Sequence, residues 1–249
     1  MLRLALLLMV LVLPAKAEEV VAGLSQSRIS ITTNFDGSEI LIFGAVKREA
    51  EITEDPPLQV IITVEGPSKP ITVRRKEKRY GIWVNTDAVD VDEAPSFYAV
   101  ATSAPWDEVI SDVEDLRHHV SIQRAIRSVG ATIEGSEDFT EALIRIRTGQ
   151  QLYQTNIGAV TFAEATLFNT SVQLPANLTE GDYSARFFLT RDGEVLDVHE
   201  TVIAVQKVGL ERFLFNLAHE QPLIYGLMSL AIAIAAGWGA SAAFRFIRN

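Results

Sequence analysis

His118 and His119 form the one adjacent histidine pair in a chain with four histidines and no cysteine. Imidazoles are the usual metal ligands and proton carriers near neutral pH. Neighbours on a helix diverge by about 100°, so an adjacent pair cannot close on one ion. Each has a carboxylate one turn earlier, Glu114 for His118 and Asp115 for His119. An i, i+4 pair supplies two ligands where metal sites use three or four, so the pair reads as a solvated helical face. The lack of cysteine removes thiolate zinc sites, iron–sulfur clusters, thiol nucleophiles and disulfides together. Asp87, Asp90, Asp92 and Glu93 cluster, but without the glycine and terminal glutamate of a calcium loop, and read as an acidic loop. Neither a G-x-S-x-G elbow nor an S-x-x-K element is present, nor a Walker A or G-x-G-x-x-G phosphate loop. The expectation is a non-enzyme with no catalytic, metal or cofactor-binding residues.

The sharper chemical signal is positive charge. Arg74, Arg75, Lys76, Lys78 and Arg79, interrupted by Glu77, concentrate five bases in six residues of an acidic chain. Such a run either keeps a hairpin tip soluble or contacts phospholipid headgroups, an acidic partner or a small anion. Asn169-Thr170-Ser171 and Asn177-Leu178-Thr179 match the glycosylation sequon, a short motif that chance supplies often.

Charge also divides the chain. Its 249 residues carry 32 acidic and 22 basic side chains, a net −10. Every acid lies between Glu18 and Glu220, with 18 of the bases, an excess of 14 negative charges. That argues against nucleic acid, whose binders need a basic face. The two ends hold only Arg3, Lys16, Arg245 and Arg248 as charges, and both are apolar. Residues 1–17 combine Arg3, the apolar stretch Leu4 to Leu13 and Ala15-Lys16-Ala17, as a cleaved export signal does. From Gln221 there are 24 uncharged residues, roughly 36 Å of helix, enough to cross a bilayer. Pro222 suits its first turn, and Tyr225 and Trp238 suit the interfaces. Arg245 and Arg248 follow without an acid, which predicts a cytoplasmic C-terminus by the positive-inside rule. Ala233, Gly237 and Ser241 share one helical stripe, expected to favour close packing against another helix.

The elements between these ends follow from periodicity. Residues 18–105 hold several short β-branched runs, among them 28–33, 39–46, 59–65, 80–84 and 96–101, with Asp36-Gly37 as a hairpin turn signal. From Trp106 to Val129, Val109, Val113, Leu116, Val120 and Ile126 recur at helical spacing, and a second helix is expected over about 137–153. Strands resume at Val160, with Arg191-Asp192-Gly193-Glu194 as a hairpin turn. The predicted organisation is a signal at 1–17, a β-module at 18–105 and a helical insert at 106–157. A second β-unit at 158–208, a juxtamembrane linker at 209–221, a membrane helix at 222–244 and a tail at 245–249 complete it. Whether the two β-parts make one domain or two stays open. The fold class is mainly β with a helical insert: an immunoglobulin-like antiparallel sandwich ectodomain plus one C-terminal transmembrane helix.

The stretch Gly23 to Val46, GLSQSRISITTNFDGSEILIFGAV, resembles an alphaproteobacterial family of single-pass transmembrane proteins. The likeness continues through Tyr80-Gly81-Ile82-Trp83-Val84, Pro95-Ser96-Phe97-Tyr98 and Leu174-Pro175-Ala176-Asn177. The resemblance implies an export signal, a C-terminal membrane helix and placement in the inner membrane with a periplasmic ectodomain. It brings no catalytic residues. Members often neighbour a sulfite-exporter-type permease, which implies an accessory role beside a transporter as partner. A periplasmic small-ligand or anion sensor, using Arg74 to Arg79, is the other reading.

Overall fold

Each stretch that pairs β-branched residues with polar ones becomes a strand. In chain order they are β1 (Glu19–Leu24), β2 (Arg28–Ile31), β3 (Gly37–Lys47), β4 (Leu58–Glu65), β5 (Ser68–Arg79) and β6 (Ile82–Pro95). Then follow β7 (Tyr98–Thr102), β8 (Tyr153–Asn156), β9 (Thr161–Ala163), β10 (Leu167–Pro175), β11 (Gly181–Arg191) and β12 (Glu194–Lys207). This computed structural model describes residues 18–32, 35–48, 56–128, 136–164 and 166–247. The export signal expected at 1–17 lies outside them, as do Arg248 and Asn249 of the expected tail. Two units emerge: 18–29 with 36–205, and the described part of 30–35 with 206–247.

The strands form a four-stranded sheet in the order β1-β3-β10-β9 and a six-stranded sheet in the order β2-β12-β11-β4-β7-β8. A separate two-stranded ribbon is β5-β6. The pairs β1–β3, β3–β10, β9–β10, β11–β12, β4–β11, β4–β7 and β5–β6 are antiparallel, and β7–β8 is parallel. The two β-parts of the sequence are therefore interleaved: β10 lies against β3, and β11 lies between β4 and β12. The predominantly antiparallel β class is as expected.

Burial explains the layering. β10 alternates, with Phe168, Thr170, Val172 and Leu174 inward, as a half-buried strand must. β4 is buried at six of eight positions because strands flank it on both sides and the sheet is covered. Phe168 of β10 meets Phe187 of β11 with ring centroids 6.1 Å apart, so the two sheets share a core. Asp36-Gly37 is not a hairpin turn, since β2 and β3 belong to different sheets. Gly37 instead opens β3 with φ 122°, where a Cβ would stand 2.8 Å from the Leu174 carbonyl oxygen.

The single helix expected from Trp106 to Val129 is three short ones: α1 (Trp106–Val109), α2 (Asp112–His118) and α3 (Ile122–Ala125). Ser111 and Ser121 cap α2 and α3 with their side-chain oxygens, and His119 ends α2 in the left-handed region at φ 54°. Of the expected stripe, Val109, Val120 and Ile126 are buried, but within α2 Val113 and Leu116 are exposed, whereas Glu114 and Asp115 are buried. α4 (Ser136–Gly149) stops short of the expected end, and Tyr153 begins a strand. Gln151 at φ 60° makes the break.

In the second unit, α5 (Leu210–Glu220) forms over the expected linker, and α6 (Pro222–Ile247) is the helix expected from residue 222. Within α6, Pro222–Ser241 is a candidate membrane span of 20 residues, none of it buried. A Cβ added to Gly237 meets nothing within 4 Å, and Ala233, Gly237 and Ser241 are all exposed among the described residues.

Candidate functional site

The basic run lies on β5, in a ribbon that grows out of the β unit. At its base Val89 and Val91 of β6 are buried opposite Val73 and Ile71, and α4 packs on both strands. Arg75 belongs to this inner face. Its guanidinium lies 4.7 Å from the Phe139 ring centroid of α4 and 3.8 Å from Asp138. Beyond that point every residue from Lys76 to Trp83 is exposed. The ribbon is turned by Tyr80 and Gly81, both at positive φ (53° and 88°), as a type I′ turn requires.

Strand alternation sorts the cations. Residues two apart share a face and direct cross-strand partners do too. Arg74, Lys76 and Lys78 therefore share one face, with Asn85 opposite Lys76 and Trp83 opposite Lys78. Arg75, Glu77 and Arg79 share the other, where Arg79 pairs with Glu77 at 3.3 Å. The five predicted bases are thus divided rather than clustered: two have acidic partners and three have no ion pair among the described residues. Sequence patterning alone missed the tip. Tyr80, Ile82 and Trp83 are among the most exposed large apolar side chains of this unit, and their place beside the bases was visible in the sequence.

Of the histidine pair, His118 is half-buried and His119 is exposed. His118 Nε2 is 3.4 Å from Glu114 Oε2, and Glu114 also receives Arg117. Asp115 does not serve His119; its Oδ1 accepts the backbone N–H groups of Val120 and Ser121, at 3.1 and 2.7 Å. Arg186 of β11 donates to the His118 and His119 carbonyls at 2.8 and 3.1 Å and stands 3.8 Å from Glu65. Tyr98 Oη donates to the Val120 carbonyl at 2.7 Å. A cation and a phenol thus satisfy the carbonyls left open at the end of α2. Burial raises the Glu65 pKa, against the opposing pull of Arg186, and burial likewise raises that of Tyr98. Neither Glu65 nor Arg186 stands out in sequence, because their pairing spans 121 positions of chain.

Beside this clasp is an open cleft of about 540 Å³, lined by Glu65, Glu93, His118, Arg124, Arg127 and Arg186 among others. A larger groove of about 750 Å³ is lined by Asp36, Glu39 and neutral residues, with no base. Asp87 stands opposite Arg75 and Asp90 bonds Thr72, so the acidic residues of β6 belong to the ribbon rather than a loop. Among the described residues no three histidine, aspartate or glutamate side chains converge as a metal site.

Residues 19–246 match the family described as "Putative transmembrane protein (Alph_Pro_TM)". No curated protein sequence matches the chain. Among solved structures, the chain is similar to the crystal structure of Spo0M, a sporulation control protein from Bacillus subtilis, at 10% identity and a TM-score of 0.29. That similarity covers 82% of this chain, which spans about half (55%) of the other.

Proposed function

The chain belongs to the Alph_Pro_TM family, and we propose that it is a non-enzymatic, membrane-anchored interaction module accessory to an inner-membrane transporter, with sulfur oxyanions as the candidate cargo. In this reading α6 anchors the protein, the β unit faces the periplasm and the C-terminus is cytoplasmic. One observation carries the interaction role: the outer face of the four-stranded sheet bears an exposed apolar patch beside polar residues such as Glu39, Asn169, Ser171 and Gln173. Val21, Leu41, Phe43 and Leu167 are each 46% exposed or more. The register sets Val21 and Leu167 on either side of Ala45, with Phe43 in the adjoining row between Gly23 and Asn169. The Phe43 ring covers Gly23, whose Cβ would lie 2.9 Å from it. Contiguous exposed apolar surface marks sites of contact with another protein, a membrane or a ligand. Affinity purification of the full chain from native membranes in mild detergent tests this. A permease should co-purify with the wild type and be lost with Phe43→Asp. Recovery of the protein alone would sink the transporter reading.

A periplasmic sensor of small anions is the second reading, favoured by Arg124 and Arg127 at the 540 Å³ cleft. The run Arg74 to Arg79 suits that role less well, because a ribbon with every base exposed cannot surround a small ion with donors. A thermal-shift series of the full chain with sulfite and small sulfonates separates the readings, since a ligand of the native state raises the midpoint by mass action. A flat response removes the sensor.

A further inference from the structure

We propose that the β5–β6 ribbon is a lipid-contacting arm: its outer face binds the anionic headgroups of a bilayer, and its tip seats in the interface. Three independent features meet there. Arg74, Lys76 and Lys78, without ion pairs among the described residues, lie on one face at every second residue, about 7 Å apart along the strand. Trp83 shares that face opposite Lys78. Tyr80 and Ile82 complete an exposed tip. Tryptophan and tyrosine concentrate at the headgroup level, where an apolar ring and a polar edge are both satisfied. Lysine and arginine beside them gain from the surface potential of anionic lipid.

The turn points the same way. Positive φ at both central positions suits asparagine and glycine, yet the first is Tyr80, in a region where a bulky side chain is strained. Its side chain is fully exposed, so it gains no packing in return. An aromatic at that apex is explained by what it meets outside the chain. The inner face shows the contrast: Arg75 rests on Phe139, and Arg79 is neutralised by Glu77. Only the outer face has cations without an ion pair among the described residues, and the chain carries a candidate membrane span of its own. An acidic protein shares the charge complementarity but gives no reason for an aromatic and aliphatic tip.

The test reads Trp83 in the full chain reconstituted in phosphatidylcholine vesicles with or without phosphatidylglycerol. A fraction of the lipid is brominated high on the acyl chain, and the Trp83→Phe protein supplies the background from Trp106 and Trp238. The Trp83 emission should shift to shorter wavelength and be quenched only with phosphatidylglycerol, and high salt should reverse both changes. The triple variant Arg74→Glu, Lys76→Glu, Lys78→Glu should lower arm partition by at least on the order of a hundredfold, from three cations near an anionic surface. Should it melt below the wild type, the same positions changed to Gln supply the comparison. Trp83 emission that is the same in both vesicles, or quenching that survives charge removal, overturns the proposal. So does emission that changes only when membrane proteins are added, which would assign the arm to an acidic protein. None of these readouts depends on whether a permease co-purifies.

Discussion

At the scale of single residues, the helical insert is held by groups that sequence spacing does not reveal. Asp115 is buried and its Oδ1 accepts two backbone N–H groups just past the end of α2. Removing a buried acceptor leaves those donors unpaired, at about 1–3 kcal/mol. Asp115→Ala should therefore lower the unfolding midpoint clearly, while the exposed Val113→Ala should leave it nearly unchanged. A helix reading of 106–129 predicts the reverse, so chemical denaturation of the two variants distinguishes them. Glu65 gives a pH-dependent counterpart. Burial raises its pKa, so the fold holds its proton more tightly than the unfolded chain does. That contribution is complete below the ordinary glutamate range and is lost as pH rises through the folded value. Glu65→Gln lacks the titration, so its stability relative to wild type should climb as pH rises toward neutrality. Melting curves across that range check it, and a constant difference would show that burial does not perturb Glu65.

At the scale of elements, strands were legible and their partners were not. The runs at 39–46 and 59–65 became β3 and β4 because β-branched alternation is local information. The partners β10 and β11 come more than a hundred residues later, beyond the reach of any local pattern. The same limit explains the insert. Val113 and Leu116 have the right spacing for a buried stripe, but two serine caps and a left-handed His119 cut the helix before that stripe can form. Phe43-Gly44 shows the other side: a glycine within an apolar strand signals a bulge or close packing, and the unbroken register leaves close packing. A Cβ at Gly44 would lie 2.3 Å from Phe168 Cζ and 2.7 Å from the Val21 carbonyl oxygen. The carbonyl belongs to a paired strand and cannot step aside. Gly44→Ala should cost about 1–3 kcal/mol as an overpacked core does, with Gly149→Ala, which meets nothing within 4 Å, as the mild comparison. Equal melting midpoints for the two would contradict this packing.

At the scale of the whole molecule, the net charge of −10 describes no single part of the chain. The acidic excess belongs to the β-rich part, the uncharged length to α6 and the last two bases to the C-terminal end of the chain. That partition was legible because a bilayer imposes length and charge on a linear segment, with no need of tertiary partners. The candidate site was half legible for a related reason. Five bases in six residues stand out in sequence, but which three stay unpaired depends on strand register and on α4, some sixty residues away. The partition makes orientation testable with a tool this chain happens to permit. Lacking cysteine, it accepts one reporter thiol at a time without background. Val113→Cys places a thiol on the exposed side of α2 in the β unit, and Arg248→Cys places one after the candidate span in sequence. If the β unit is periplasmic, a membrane-impermeant maleimide applied to intact spheroplasts should label the first and spare the second until the membrane is opened. The acidic flank of α6 translocating while its basic flank is retained is the arrangement that loop-charge asymmetry favours. Labelling of the Arg248→Cys thiol alone would invert the topology and, with it, the leaflet that the arm can reach.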